Sequence, residues 1–76
     1  AGRERALDHW SLNRHPEAIA ALRALHDVGV VRAEWNHPGY EVLRHRNLIA
    51  WRAASTTARD YRLTPRGREL AKDLFG

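Results

Sequence analysis

The stretch YRLTPRGREL, residues 61–70, decides the fold because it predicts a strand that passes directly into a helix. Tyr61 and Leu63 lie two residues apart, so they face the same side of an extended segment. Thr64 is a favoured N-cap residue, and Pro65 follows at the first helical position, where its missing N–H costs nothing. The apolar residues beyond it predict one face of a helix that reaches almost to the C-terminus.

The clearest helix upstream of this junction is predicted over residues 16–28. Ile19, Leu22 and Leu25 recur three residues apart and form one apolar stripe. Gly29 is placed to end this helix as its C′ residue, and the β-branched Val-Val pair that follows predicts the start of a strand.

The middle of the chain predicts further strands. Residues 30–35 and 40–44 alternate in polarity around the turn-forming sequence 36–39, so residues 30–45 predict a β-hairpin. Residues 48–54 are compatible with either a third strand or a helical turn, and this choice stays open.

The N-terminal residues 3–10 predict a short helix with Leu7 and Trp10 on its apolar face. The polar residues 11–15 that follow predict a turn. We assign the three Trp residues mainly to packing, and Trp51, which lies among arginines, has stacking on a base or closing a partner interface as its alternatives.

The stretch at 61–70 resembles the Y-x-L-T-x-x-G junction of winged-helix transcription regulators of the MarR and PadR kind, where it follows the wing and opens the last helix. The helix over 16–28 with its Gly-Val-Val exit resembles the third helix of these proteins, which runs into the first wing strand. The resemblance implies an α+β fold, a small winged helix-turn-helix. The long stretch between the two motifs implies an enlarged wing or an extra β-hairpin.

The chain is short enough that we expect residues 1–76 to form one domain with a marginal core. It contains no Met, which indicates a processed chain or a domain cut from a longer protein. It also has no Cys, no Gly-rich phosphate loop and no recognisable nucleophile motif, so we expect no enzyme activity and no cofactor. The five His residues have no metal-ligand spacing, and no metal site is predicted. The lack of Cys and of an apolar run of membrane length agrees with a cytoplasmic protein without a membrane partner.

Charge is distributed unevenly along the chain, whose formal net charge is +4. Residues 44–68 contain seven Arg and one acid, whereas residues 1–43 contain five Arg and six acids. A one-sided basic segment is typical of a protein that binds a polyanion. With the family resemblance, it predicts double-stranded DNA as the partner. The alternative interpretation is an Arg-rich surface that only keeps the domain soluble.

The predicted DNA contacts come mainly from the basic segment, which the resemblance identifies as the wing. Its side chains can reach phosphates or a minor groove, while Arg14 and His15 lie at a helix N-terminus, where anions are favoured. The full predicted set is Arg14, His15, Arg23, Arg44, Arg46, Arg52, Ser55, Thr56, Thr57 and Arg59.

A protein partner is the alternative to DNA. The outward face of the helix over 16–28 is predicted to carry two acids, one base and the small residues Ala20 and Ala24. Such a face suits close packing of another helix better than base readout, so the domain is alternatively a winged-helix protein–protein interaction module. The resemblance also implies a homodimer formed through the C-terminal helix.

Overall fold

The computed structural model describes residues 2–76 and, apart from positions 2, 4 and 5, their side chains; Ala1 lies outside the described residues. Within this range the chain folds into a small α+β domain with four helices and one three-stranded antiparallel sheet. The elements in chain order are α1 Gly2–Asn13, α2 Pro16–Val28, β1 Val30–Glu34, α3 Pro38–His45, β2 Ile49–Ala53, β3 Ala58–Leu63 and α4 Pro65–Phe75.

The predicted strand-to-helix junction between β3 and α4 is confirmed. Tyr61 is fully buried in β3. The Thr64 hydroxyl caps α4 by accepting a hydrogen bond from the Gly67 N–H at 3.1 Å, and it donates to the Asn47 carbonyl at 2.8 Å. A Cβ at position 67 would overlap the Leu48 carbonyl oxygen, so only glycine lets α4 start this close to the base of β2.

Helix α2 lies at the centre of the core, as its apolar stripe predicted. Its fully buried residues are Ala18, Ala21, Leu22 and Leu25. Ile19 is only partly buried, so the buried face is rotated slightly toward the alanines. Gly29 ends the helix with φ +96°, and its N–H donates to the Leu25 carbonyl at 2.8 Å. This confirms the predicted C-terminal stop, which needs a residue tolerant of positive φ.

The sheet has the strand order β1-β3-β2, so β3 pairs with both neighbours. Tyr61 lies in register between Val31 and Trp51, on the face that the helices cover near the core. The adjacent row points to the opposite face, as alternation along a strand requires. That row consists of Arg32, Asp60 and Arg52.

The β-hairpin predicted over residues 30–45 is wrong, because residues 38–45 form helix α3. His37 is the N-cap, its ring accepting a hydrogen bond from the Gly39 N–H at 3.2 Å, and Pro38 occupies the first turn. Tyr40 and Leu43 are both buried, and residues three positions apart lie on the same face of a helix. A short segment with few apolar residues can match a period of two and a period of 3.6 equally well.

The long connection between β1 and β3 is therefore filled by α3 and β2 instead of an extra hairpin or an elongated wing. The segment 48–54, left open between strand and helix, contains strand β2. A four-residue connection, 54–57, joins β2 to β3 in an antiparallel β2–β3 hairpin.

Helix α1 is longer than predicted, since it continues through Asn13 and confines the turn to two residues. Among its described side chains, the buried ones are Asp8 and Leu12, which lie four residues apart on one face. Leu7 and Trp10 are about half exposed, so their predicted role in packing is wrong.

Candidate nucleic-acid interface

The distal end of the β2–β3 hairpin is exposed on both of its faces. Every residue from 51 to 57 is exposed, whereas Ile49 at the start of β2 is buried. The helices thus cover the base of the hairpin and leave its end uncovered. Chain atoms at this end are available to a partner from either side.

One face of the hairpin end carries an aromatic cleft of about 280 Å³, which we call the tryptophan cleft. Trp35 and Trp51 line it and are 52% and 46% exposed. The Arg59 guanidinium carbon lies 3.9 Å from the Trp51 ring centroid, a close cation–π contact. Ala53 and Ala58 add only small side chains to the lining, and Arg59 lies on the central strand between the two tryptophans.

The turn of the hairpin is closed by the Ser55 side chain. Its Oγ accepts hydrogen bonds from the N–H groups of Thr57 and Ala58, at 3.3 and 3.1 Å. Trp35 extends the pairing beyond β1, its N–H donating to the Thr57 carbonyl at 3.1 Å. The exposed hydroxyls of Thr56 and Thr57 lie at the tip, where they can donate hydrogen bonds to an acceptor.

The opposite face of the sheet carries Arg32, Arg52 and Arg62 together with two acids, Asp60 and Glu34. Arg32 donates to both oxygens of Asp60, at 2.9 and 3.4 Å, and this hydrogen bonding lowers the pKa of Asp60. The same contact raises the pKa of Arg32. Among the side chains that the structure describes, Arg52 and Arg62 form no ion pair with an acid, so this face keeps a net positive charge.

Arg44 lies on α3 and is paired with Glu41 of the same helix. Two hydrogen bonds join them, Nε to Oε1 at 3.1 Å and Nη2 to Oε2 at 2.8 Å. They lower the pKa of Glu41 and raise that of Arg44. Arg59 adds a favourable charge interaction with Glu41, which relates α3 to the tryptophan cleft. The acid is thereby neutralised from two sides.

Arg46 belongs to an ion-pair network around Asp8. Asp8 in α1 is 3% exposed, and its Oδ1 lies 2.7 Å from Arg46 Nη2. Arg66 of α4 also binds it, with Nη2 at 2.9 Å from Oδ2. The network joins α1, the end of α3 and α4. Arg46 therefore helps to hold these elements together, a role that differs from the predicted DNA contact.

Three other predicted residues contact the helices and not the hairpin. Arg14 stacks on Trp10 at 4.8 Å, and His15 Nδ1 lies 3.3 Å from Glu17 Oε1. Arg23 stacks on Phe75 of α4 at 5.4 Å. The structure therefore brings Arg52, Ser55, Thr56, Thr57 and Arg59 together and leaves these three at other places on the domain.

Sequence reasoning does not include Trp35, Arg32 and Arg62 in the site. It favours packing for Trp35 and Trp51, with base stacking or a partner interface as the alternatives for Trp51, and the exposure of both rings contradicts packing. Strand alternation places both rings on the same face as buried residues. The helices cover only part of that face, and the alternation of residues along a strand does not indicate where the helices stop covering it. Arg32 and Arg62 alternate onto the same face as Arg52, a signal that could have grouped the three once the pairing was known.

The part of the chain that the structure describes contains no group of three or more metal-ligating residues placed to share an ion. None of its helices combines the length and apolarity that a membrane span needs. Comparison of the chain with protein-family models, with curated proteins and with solved structures finds no match.

Proposed function

We propose that this domain binds double-stranded DNA in the manner of a winged-helix protein, with the β2–β3 hairpin as the wing. The arrangement supports this proposal. Helices α1 and α2 precede β1, α3 lies between β1 and β2, and β2 and β3 form an exposed hairpin before α4, in a sheet ordered β1-β3-β2. The strand after Gly29, which the resemblance implied to be the first wing strand, is β1 and is not part of this hairpin. The junction sequence YRLTPRGREL lies at the same point of the fold as in the regulators it resembles. A role in transcriptional regulation rests on that resemblance, whereas the proposed cytoplasmic location rests on the sequence composition.

The observation that carries the proposal is the positive charge on an uncovered hairpin. Arg52 and Arg62 project from one face and Arg59 from the other. No acid occurs in the sequence between Glu41 and Asp60. A two-stranded ribbon is one of the few elements that fit the major groove of B-DNA, so both faces could meet phosphates at once.

The proposed contacts differ in what each supplies. Arg52, Arg59 and Arg62 would neutralise phosphates, while the hydroxyls of Thr56 and Thr57 would donate hydrogen bonds to phosphate oxygens. Such contacts position a protein on the duplex without choosing a sequence. We expect binding that depends strongly on salt and weakly on sequence.

The remaining predicted contacts have secondary parts in this proposal. Arg44 and Arg46 already pair with acids, so they would contribute less than the unpaired arginines. Ser55 supports the turn. Arg14 and His15 remain candidates for a separate phosphate contact at the start of α2. Helix α2 would support the interface from its core side.

The experiment is fluorescence anisotropy with a labelled duplex of random sequence, titrated at several salt concentrations. We expect a dissociation constant of about 10⁻⁴ to 10⁻⁶ M at physiological salt and a negative slope of log affinity against log salt. Each lost phosphate contact changes that slope by about 0.9. Arg52→Ala/Arg62→Ala should therefore weaken binding to all sequences alike and make the slope less negative by about 1.8.

The matched control removes the same charge at a distance from the hairpin. Arg3→Ala/Lys72→Ala alters exposed residues of α1 and α4 and lowers the net charge equally. If the control changes the slope as much as the hairpin variant, binding reports net charge alone and the assigned interface is wrong. No binding of the wild-type protein at low salt would contradict the proposed function itself.

A protein partner remains the second candidate, favoured by one surface feature. A groove of about 350 Å³ lies between α2 and α3 and is lined by Ala20, Ala24, His37 and Tyr40. Ala20 is exposed at its edge, so a helix from another protein could approach closely. Absence of DNA binding at low salt would favour this candidate.

Self-association through α4 is a related proposal. Leu74 is 38% exposed on this helix, although Phe75 packs against the core. If α4 forms a homodimer, Leu74→Asp should convert a dimer into a monomer in sedimentation-equilibrium measurements. A monomeric wild-type protein would refute this arrangement.

A further inference from the structure

We propose that the tryptophan cleft binds one unstacked nucleobase, so that the domain prefers a duplex with a single-stranded extension over a blunt duplex. This inference rests on the proposed DNA-binding function and narrows its substrate. It assigns Trp35, Trp51 and Arg59 a task that phosphate contacts leave unexplained.

The shape of the cleft suits a flat aromatic ring. Trp35 and Trp51 line it with exposed rings, the Arg59 guanidinium covers one face of Trp51, and the alanines at 53 and 58 add only small side chains, so a ring can stack on Trp35 beside Arg59 and the edge of Trp51. The cleft volume of about 280 Å³ greatly exceeds that of a water molecule, about 30 Å³. A purine is a fused five- and six-membered ring system, as is the indole that it would face.

The charge around the cleft favours an anionic chain over a protein segment of mixed charge. Arg59 stacks on Trp51 inside the cleft, and no acid is among the described residues that line the cleft. A nucleotide offers both features at once, a ring for the walls and a phosphate for the arginine.

The hairpin turn adds polar groups at the open end of the cleft. Ser55 and Thr56 belong to the lining, and Thr56 is exposed. These hydroxyls can donate to or accept from the edge of a base without requiring one particular base. Aromatic stacking beside arginine is the general means by which proteins hold single-stranded nucleic acid with little sequence choice.

A paired base cannot enter the cleft, because both faces of a base in a duplex are covered by its neighbours. The occupant is therefore a base at a single-stranded end or one that has left the stack. The hairpin would contact duplex phosphates through Arg52 and Arg62, while the tryptophan cleft takes the first unpaired base beyond them.

The experiment compares two DNA probes that share one duplex, the first blunt and the second extended by a few unpaired nucleotides. We expect the extended probe to bind about tenfold more tightly, in line with one stacked base. Trp35→Leu and Trp51→Leu should each remove this preference and leave binding of the blunt duplex unchanged. The salt slope for the blunt duplex should stay the same in these variants, because they remove no charged group.

Trp10→Leu is the matched control, because Trp10 is also exposed and also carries a stacked arginine, Arg14. It should retain the full preference. Trp51→Phe keeps an aromatic ring and should restore most of it. In the Trp10→Leu protein the remaining indole fluorescence comes from the two cleft tryptophans, and the extended probe should quench it more strongly than the blunt one.

The outcomes separate the inference from the function on which it rests. Tight binding of the blunt duplex without preference for the extension, or an equal loss on both probes in the leucine variants, overturns the base-binding cleft alone. Failure of both probes to bind at low salt overturns the proposed function as well. If a leucine variant does not fold, as judged by circular dichroism, the quenching experiment still decides the question with an intact cleft.

Discussion

Replacement of Asp8 by alanine should destabilise the domain more than any other change of a single charge. The Asp8 carboxylate is 4% exposed and is bound by two guanidinium groups, those of Arg46 and Arg66. Removing one partner of a fully buried ion pair costs about 3 to 5 kcal/mol, mainly because the other charge stays buried. In the variant, the positive charges of Arg46 and Arg66 lie side by side without the Asp8 carboxylate that joined α1, the end of α3 and α4.

The expected magnitude is reduced by the exposure of the arginines. The Arg46 and Arg66 side chains are 29% and 36% exposed, so water can solvate them in part once the acid is gone. Alanine also has a higher helix propensity than aspartate inside α1, and this difference offsets about 0.5 kcal/mol of the lost stability. We expect a net loss of about 2 to 3 kcal/mol, or a fall in Tm of roughly 10 to 20 °C for a domain of this size.

Urea unfolding followed by circular dichroism measures this loss directly. Asp27→Ala is the control, because that carboxylate is 60% exposed and its contact is a surface pair with His26. Its effect should stay within about 0.5 kcal/mol. If Asp8→Ala costs less than about 1 kcal/mol, the network contributes no more than a surface ion pair, and the reasoning from burial is refuted.

Three further outcomes follow from single contacts. Tyr61→Phe should be neutral or stabilising by about 1 kcal/mol in the same assay, because the buried Tyr61 hydroxyl has no hydrogen-bond partner among the described residues; a clear destabilisation would contradict this. Gly67→Ala should destabilise by several kcal/mol, about 3 or more, because its Cβ would overlap the Leu48 carbonyl, and a variant as stable as wild type would show that α4 can shift away. The hydrogen bond from Arg44 lowers the pKa of Glu41, so the stabilisation from this ion pair is present above the unfolded-state pKa of 4.5 and is lost as the pH falls through the lower folded-state pKa. Glu41→Gln should therefore reduce the loss of folding stability at acidic pH, and an unchanged loss would show that this pair is not its source.

The parts of the fold that the sequence predicted are those specified by local chemistry. The β3–α4 junction depends on a hydroxyl cap, a proline and a glycine within four residues, and helix α2 ends at a glycine with positive φ. Each of these signals depends on residues only a few positions apart, so it can be recognised from the local sequence. Helix α3 was missed because its cap is a histidine, His37, which is uncommon among N-cap residues.

The candidate site was only partly predictable, because its composition depends on long-range pairing. The charge count indicates the segment that contains the β2–β3 hairpin, and Arg52 and Arg59 lie on that hairpin. Arg46 could not be assigned from the sequence, since its acid lies 38 positions away in another helix. The exposure of Trp35 and Trp51 likewise depends on where the helices stop covering the sheet.

The contacts of Thr64 make the start of α4 and the base of the β2–β3 hairpin one mechanical unit. Its hydroxyl and N–H bind the backbone of Asn47 and Leu48 at 2.8 and 3.1 Å, just before β2 begins. These two hydrogen bonds couple the first turn of α4 to the hairpin. Hydrogen exchange of the α4 amides should therefore slow when a ligand holds the hairpin in place.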